Sequence, residues 1–195
     1  MGPVALLGGT FDPIHSAHLE IAQAAADRFG LTQILFIPAA SPPHKINAAV
    51  ASYEDRVRMA ELACADDPRF TVSRIEEGPG PSYSILTIET LEARGIHRPA
   101  FVIGADAFRE IETWHRWRDL VEAVEFIVVT RPGAHYAVPP GATVHELPGI
   151  SLPVSSSAIR ARLAAGDDCA DQLPAPVIRY IRQRGLYRSQ AEKII

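Results

Sequence analysis

Short apolar runs alternate along the chain with longer stretches in which apolar residues recur every three or four positions. The short runs predict β-strands at Val4–Leu7, Gln33–Ile37, Phe70–Ser73, Ala100–Ile103, Glu125–Val129 and Thr143–Leu147. The longer stretches predict helices at His18–Phe29, Tyr53–Ala65, Ser84–Arg94, Ser155–Ala165 and Pro176–Arg184. Gly30 and Gly95 stand where a glycine commonly ends a helix. The alternation of strand and helix predicts an α/β fold with a mostly parallel sheet.

We expect a single domain over residues 1–195. A chain of 195 residues with 47% apolar content is of the size and composition of a single globular domain. The Pro- and Gly-rich loops at Pro38–Pro43, Glu77–Pro81 and Pro132–Gly141 are too short to be linkers between separate domains. The last two predicted helices form a small helical C-terminal part at about residues 154–188.

Charge and cysteine content narrow the function classes. The chain has 19 basic and 23 acidic residues and a net charge of −4, which argues against a general nucleic-acid-binding surface. Cys64 and Cys169 form no C-x-x-C pair, so we expect a reducing, cytoplasmic setting. No apolar run approaches the ~20 residues that span a bilayer, and the N-terminal residues lack signal-peptide features, so we expect no membrane association.

A glycine pair, Gly8-Gly9, directly follows the first predicted strand. Ligands of open parallel sheets bind beyond the carboxyl ends of the strands, where paired glycines let backbone N–H groups approach a phosphate. The Thr10 hydroxyl adds a donor, and the next helix directs the positive end of its dipole to the same place. His15 and His18, three residues apart at the start of that helix, could both reach one anionic group and stabilise charge on phosphoryl oxygens.

The residues alone leave two other interpretations of the histidines open. One histidine could cap the helix while the other lies on the surface, which is the commoner situation for an isolated H-x-x-H pair. A zinc site of His15, His18 and His44 is conceivable, but no cysteine or acidic residue stands at metal-site spacing nearby. We therefore predict no metal held by protein ligands.

The segment from Gly8 to His18, Gly-Gly-Thr-Phe-Asp-Pro-Ile-His-Ser-Ala-His, resembles the H-x-G-H signature of the nucleotidyltransferase superfamily, in the form carried by bacterial nicotinate mononucleotide adenylyltransferases. The resemblance extends from Val4 to about Arg188. It implies a Rossmann-like sheet with helices on both faces. It also implies that His15 and His18 bind ATP and are catalytic. Further ATP contacts implied in this segment are Gly8, Gly9, Thr10 and Phe11. The sequence departs from the family at Ala17, where the pattern has glycine.

Two further motifs carry candidate cations. Pro42-Pro43-His44-Lys45 resembles a family segment whose lysine lies near the triphosphate and the attacking phosphate, which implies a catalytic and substrate-binding role for Lys45. The run Ser155-Ser156-Ser157-Ala158-Ile159-Arg160 resembles a family motif that binds the ATP phosphates from the side opposite the histidines. It implies ATP contacts from Ser155, Ser156 and the catalytic Arg160. Without the resemblance, a solvated lysine and an ordinary serine cap with a surface arginine would be preferred.

The resemblance also implies which residues lie beside the adenosine of ATP and which lie beside the nicotinate ring. It places Gly104, Asp106 and Arg131 beside the adenosine of ATP, although Asp106 could instead cap the next helix. It places the nicotinate ring near Thr87, Trp114 and His115, although composition alone favours packing roles for Trp114 and Trp117.

The implied reaction is attack by the phosphate of nicotinate mononucleotide on the α-phosphorus of ATP, giving nicotinate adenine dinucleotide and pyrophosphate in NAD biosynthesis. Mg²⁺ is expected on the ATP phosphates, held mainly by phosphate and water. The alternatives are a pantetheine-phosphate adenylyltransferase, which shares this chemistry, and a non-catalytic nucleotide-sensing module. The sequence leaves open the choice between nicotinate and nicotinamide mononucleotide. It also leaves open the oligomeric state, a homo-oligomer included.

Overall fold

A six-stranded parallel sheet organises the computed structural model, which describes residues 3–41, 50–131, 133, 135–148 and 154–188. The strand order is β3-β2-β1-β4-β5-β6, and every neighbouring pair is parallel. The strands are β1 Val4–Gly9, β2 Gln33–Pro38, β3 Phe70–Val72, β4 Ala100–Gly104, β5 Glu125–Thr130 and β6 Thr143–Pro148. Each predicted strand is confirmed, with ends that differ by one or two residues.

Seven α-helices connect or flank these strands in the described part of the chain. They are α1 Ser16–Phe29, α2 Tyr53–Cys64, α3 Ser84–Ala93, α4 Ala105–Arg109, α5 Trp117–Ala123, α6 Ser156–Ala164 and α7 Ala175–Arg184, with a 3₁₀ turn at Ile111–Thr113. The five predicted helices are present, and Gly30 ends α1 in the left-handed conformation, at φ 63°. The sequence did not predict α4, α5 or the 3₁₀ turn, because elements of one or two turns show little periodicity.

Alternate side chains of the strands pack on opposite faces of the sheet. In β1, Ala5 and Leu7 join an apolar cluster with residues of α1, α2, α6 and α7. Leu6 between them joins a second cluster with residues of α3, α4 and α5. Helices therefore cover both faces, as expected for a parallel sheet whose central strands are largely buried. No helix among the described residues is long and apolar enough to cross a membrane.

The order of the strands reverses direction between β1 and β4. The chain passes from β1 outward to β2 and β3, and then crosses back to place β4 on the other side of β1. Such a reversal opens a crevice at the carboxyl ends of the two strands, which is where open α/β sheets bind ligands. Gly9 ends β1 and Gly104 ends β4, so both stand at this crevice.

Candidate active site

A cavity of about 340 Å³ lies at the crevice between β1 and β4. That volume falls in the range of small-molecule sites. Its lining comes from the start of α1, the end of β4, the end of β5 and the start of α6. The lining residues are His15, Ala17, His18, Ile21, Gly104, Ala105, Asp106, Val129, Arg131, Val154, Ser155 and Ser156. The structure therefore brings together sequence-predicted residues from four separate segments.

The glycine pair at the end of β1 has two different structural roles. A Cβ atom at Gly9 would lie 2.9 Å from the ring of Phe11, so packing against that ring requires glycine. Phe11 itself is buried and has a left-handed backbone, at φ 50°. At Gly8 a Cβ atom would meet no atom within 4 Å, and this residue is exposed. Gly8 is thus the member of the pair whose backbone is open to a ligand.

The two histidines form one unit at the start of α1. His15 is the N-cap residue of the helix, and its backbone N–H donates to Nδ1 of His18 at 3.2 Å. The imidazole rings stack with centroids 3.8 Å apart, and the edge of the Phe11 ring packs against His18. Because Nδ1 of His18 accepts this bond, the proton of the neutral ring is assigned to Nε2.

Burial sets the charge of His15. Its side chain is buried, and the loss of water around the ring lowers the pKa of His15 to about 4. His15 is therefore neutral at pH 7. A neutral imidazole can still hydrogen-bond a phosphoryl oxygen, but positive charge has to come from other residues.

The start of α6 forms the opposite wall of the cavity. Ser155 caps this helix by accepting a hydrogen bond from the backbone N–H of Ala158 at 3.2 Å. The Ser156 hydroxyl donates to the carbonyl of Pro13 at 3.0 Å and so fastens α6 to the loop before α1. The N-terminal ends of α1 and α6, each the positive end of a helix dipole, therefore meet at one cavity.

Arg160 lies beside the cavity and contacts the loop that follows β1. Its Nη1 donates to the backbone carbonyl of Asp12 at 2.7 Å and lies 3.7 Å from Oδ2 of the same residue. The Arg160 side chain is 23% exposed and is not among the residues that line the cavity. The ordinary alternative, a surface arginine, does not describe it.

The far end of the cavity carries the residues expected beside adenosine. Asp106 and Arg131 are both exposed and line this end with Gly104. Gly104 is the N-cap residue of α4, while Asp106 lies in the first turn and pairs with Arg109 at 3.3 Å. The alternative that Asp106 caps this helix is therefore wrong.

A second cavity, of about 230 Å³, lies at the start of α3. Buried Thr87 lines it, and the Thr87 hydroxyl donates to Oε1 of Glu76 at 2.7 Å. Tyr83, also in its lining, stacks on the ring of His115 with centroids 4.2 Å apart. Trp114 instead packs its ring edge against Phe101. The structure thus places Thr87 in the lining of this cavity. His115 is next to the cavity, because it stacks on Tyr83, which lines it, whereas Trp114 packs against the core.

The lysine segment cannot be placed. Pro42, Pro43, His44 and Lys45 lie outside the described residues. In the part of the chain that the structure describes, no three His, Cys, Asp or Glu side chains are grouped as metal ligands. The zinc site considered from the sequence would include His44, which lies outside the described residues.

Among the buried charged residues that were not singled out from the sequence, Arg56 and Asp12 lie at the loop after β1. Arg56 is 2% exposed, and its Nη1 donates to the carbonyls of Thr10 and Ala39 at 2.7 and 2.8 Å, which ties together the loops after β1 and β2. The carboxylate of Asp12, also buried, accepts hydrogen bonds from the neighbouring residues Val50 and Ala51 and from the distant Tyr187. Nothing in the sequence indicated that Arg56 is buried, because arginine on a helix is usually exposed. For Asp12, the only indication was its position inside the motif from Gly8 to His18.

Comparison with known proteins adds independent information. A model of the cytidylyltransferase-like family matches residues 6–162. The "Probable nicotinate-nucleotide adenylyltransferase" of Solibacter usitatus is 53% identical over 189 residues, covering 94% of this chain and 98% of the relative. The protein of the same name from Roseiflexus sp. is 39% identical, covering 95% of this chain and 98% of the relative.

The fold also matches solved structures. "Plasmodium falciparum nicotinic acid mononucleotide adenylyltransferase complexed with NaAD" has a TM-score of 0.79 to this chain, at 19% identity. The match covers 94% of this chain and 96% of the other. At this identity the likeness concerns the fold.

Proposed function

The chain belongs to the cytidylyltransferase-like family and, within it, to the nicotinate-nucleotide adenylyltransferases, and we propose how its residues carry out that activity. The enzyme transfers the adenylyl group of ATP to nicotinate mononucleotide, giving nicotinate adenine dinucleotide and pyrophosphate in NAD biosynthesis. The predicted family, Rossmann-like fold and activity are confirmed. The roles of individual residues remain our proposal. The observation that carries them is the convergence of four sequence segments on one cavity.

The triphosphate of ATP would lie between the starts of α1 and α6. Both helix N-termini favour an anion, and they face the cavity from different sides. His15 and His18 would hydrogen-bond phosphoryl oxygens from one wall, and Ser155 and Ser156 from the other. The remaining contacts assigned to ATP in the first loop are Gly8, Gly9, Thr10 and Phe11. Of these, Gly8 would contact the nucleotide through its backbone, while Phe11 would act by packing against His18.

Adenosine would occupy the end of the cavity formed by Gly104, Asp106 and Arg131. Gly104 has no side chain and is exposed, so a nucleoside can lie against the backbone there. The exposed Asp106 carboxylate can accept hydrogen bonds from ribose hydroxyls. Arg131 is a planar cation at the rim, suited to stacking on a base.

The pyridine ring would bind near Thr87, Trp114 and His115. Because the Thr87 hydroxyl gives its proton to Glu76, it offers lone pairs and no hydrogen to a ligand. A nicotinate carboxylate at this place would therefore need backbone N–H groups as donors. The stacked pair of Tyr83 and His115 supplies aromatic faces at the rim of the cavity.

The reaction needs alignment and charge stabilisation more than proton transfer. A phosphate oxygen of nicotinate mononucleotide forms a bond to the α-phosphorus of ATP. The bond from that phosphorus to the oxygen that bridges the α- and β-phosphates breaks, and pyrophosphate leaves. The nucleophile is already an anion, so no general base is required. His18 would stabilise charge on the phosphoryl oxygens, and Lys45 and Arg160 would supply the positive charge that neutral His15 does not.

Mg²⁺ fits this site as an ion carried by ATP. Asp106 is the one carboxylate among the described residues that line the cavity, and the Asp12 carboxylate is buried and occupied by protein donors. A site with so few carboxylates suits an ion that keeps phosphate and water as its main ligands. When bound, the ion would offset negative charge on the triphosphate.

We further propose that residues 1–195 act as one domain in the cytoplasm. Residues of α6 and α7 share an apolar cluster with α1 and α2, which supports a single core that includes the C-terminal part at 154–188. Cys64 and Cys169 are free and buried, as expected for a protein in a reducing compartment. The proposed partners are the small-molecule substrates ATP and nicotinate mononucleotide, without nucleic acid or membrane.

The test is pyrophosphate release from ATP and Mg²⁺ with nicotinate mononucleotide, nicotinamide mononucleotide or phosphopantetheine as the acceptor. We expect the highest kcat/KM with nicotinate mononucleotide. Turnover with phosphopantetheine alone would favour the rival adenylyltransferase. No release with any acceptor, together with binding of ATP, would favour the sensing module.

A further inference from the structure

Tyr187 is buried at the end of the described chain in a strained backbone conformation. It lies three residues beyond the end of α7, is 7% exposed and has φ 62°. A left-handed conformation costs a residue with a side chain roughly 1–2 kcal/mol, and it persists only where the surrounding contacts hold it. Tyr187 packs in the apolar cluster that includes α1 and α2, and its hydroxyl lies 4.0 Å from Sδ of Met59.

The Tyr187 hydroxyl is held by the carboxylate of Asp12. It donates to Oδ1 of Asp12 at 2.6 Å, and the backbone N–H groups of Ala51 and Val50 donate to the two carboxylate oxygens at 3.2 and 2.7 Å. Asp12 is 2% exposed. The buried Asp12 carboxylate therefore connects the loop between β1 and α1, the residues just before α2 and the C-terminal part of the chain.

Arg160 contacts the same residue from the other side. It donates to the backbone carbonyl of Asp12 at 2.7 Å, but its Nη1 remains 3.7 Å from the carboxylate, which already has three other donors. A buried carboxylate that loses a donor draws compensation from the nearest cation. Removal of the Tyr187 hydroxyl would thus pull the Arg160 guanidinium toward Asp12 and away from a ligand.

We propose that Tyr187 is a positioning residue for ATP binding, which completes the hydrogen bonds of Asp12 and so leaves the Arg160 guanidinium directed at the phosphates. The role of Arg160 in this inference rests on the proposed function. Tyr187 lies outside residues 6–162, the part of the chain that the family model matches. Its place at the site follows from the tertiary contacts described above.

The test compares Tyr187→Phe with a matched control, Tyr180→Phe. Tyr180 belongs to α7, and its hydroxyl also donates to a carboxylate, Oδ1 of Asp55 at 2.8 Å. Asp55 lines neither cavity. We expect Tyr187→Phe to raise both the KM for ATP and the Kd for α,β-methylene-ATP about 5- to 10-fold, which is the size of one typical net hydrogen-bond contribution. The KM for nicotinate mononucleotide should stay unchanged, and Tyr180→Phe should leave both constants at the wild-type values.

A double-mutant cycle with Arg160→Lys separates positioning from general support of the fold. Arg160→Lys alone should raise the Kd for α,β-methylene-ATP, and adding Tyr187→Phe should then raise it by much less than in the wild-type background. Additive changes would overturn the inference. So would a Tyr187→Phe protein that has a lower Tm but binds the analogue as the wild type does.

Two further measurements cover a variant that does not fold and a protein that does not turn over. If Tyr187→Phe does not fold, it is made in the Asp12→Asn background, where the charge that would draw Arg160 is absent. The Kd should then match that of Asp12→Asn alone, and a rise of about 5- to 10-fold above it would overturn the inference. Wild-type protein that binds the analogue without pyrophosphate release would contradict the proposed function. The comparison of analogue affinities would still decide the role of Tyr187.

Discussion

The backbone N–H of His15 donates to Nδ1 of His18 across 3.2 Å, so the start of α1 itself orients the second imidazole. The bond assigns the ring proton of His18 to Nε2. Stacking of the two rings and the edge of Phe11 restrict the ring further. Preorganised donors of this kind are the usual source of electrostatic stabilisation in a transition state.

Loss of the His18 imidazole should greatly reduce turnover without unfolding the protein. We expect His18→Ala to lower kcat by about 10²–10³-fold, the effect of removing one preorganised donor. His18→Gln, whose amide can place an N–H near the position of Nε2, should retain more activity than His18→Ala. Pyrophosphate release measures both variants, and circular dichroism checks the fold. Near-normal turnover of His18→Ala would refute the role assigned to His18.

Protonation of buried His15 should destabilise the folded protein in mild acid. Burial lowers the pKa of His15 from 6.5 to about 4, so between these values the unfolded chain binds a proton that the folded chain does not. The free energy of unfolding therefore decreases as the pH falls from 6.5 toward 4, by up to about 3 kcal/mol from this residue.

Urea unfolding across this pH range measures the contribution of His15. His15→Gln lacks the titrating ring and should show a shallower loss of stability below pH 6.5 than the wild type. His97→Gln, which removes an exposed histidine, is the matched control and should retain the wild-type slope. Equal slopes for His15→Gln and the wild type would mean that the His15 ring is not held neutral by burial.

The two glycines of the first loop should respond differently to the same substitution. Gly9→Ala places a methyl group 2.9 Å from the Phe11 ring, and overpacking of this kind costs about 1–3 kcal/mol. Gly8→Ala meets no protein atom within 4 Å and should leave the Tm unchanged, while its methyl group would obstruct the nucleotide and raise the KM for ATP. Thermal unfolding and initial rates distinguish the two effects. A wild-type KM for ATP in Gly8→Ala would place the nucleotide away from Gly8.

Thr87 should affect the pyridine substrate and not ATP. Thr87→Val removes the donor to Oε1 of Glu76, whose Oε2 is buried without a partner among the described residues, and should cost about 1–3 kcal/mol of stability. It should also raise the KM for nicotinate mononucleotide with the KM for ATP unchanged. Thr90→Val is the control, since Thr90 lines the same cavity but donates only to the carbonyl of Leu86 in its own helix. Unchanged KM values for both substrates in Thr87→Val would move the pyridine site away from this cavity.

The sequence alone predicted the elements that local pattern controls. Six apolar runs became the six strands, and the helices with sustained periodicity were predicted to within one or two residues of their ends. Most residues assigned to ATP from motifs line a single cavity, as the expected position beyond the strand ends required. Such features depend on residues that are neighbours in sequence.

Contacts between distant segments were decided by the tertiary structure. The hydrogen bond from Tyr187 to Asp12 joins residues 175 positions apart, and the contact from Arg160 to Asp12 joins residues 148 apart. Burial likewise made His15 neutral and placed Arg56 inside the molecule, although the sequence favours an exposed arginine. The family, the strands and the motif residues were therefore determined by the sequence itself, because periodicity and spacing act locally. The charge of His15 and the hydrogen bonds around Asp12 depend on the order of the strands in the sheet. That order determines which groups, distant in sequence, are buried together in the low-dielectric interior.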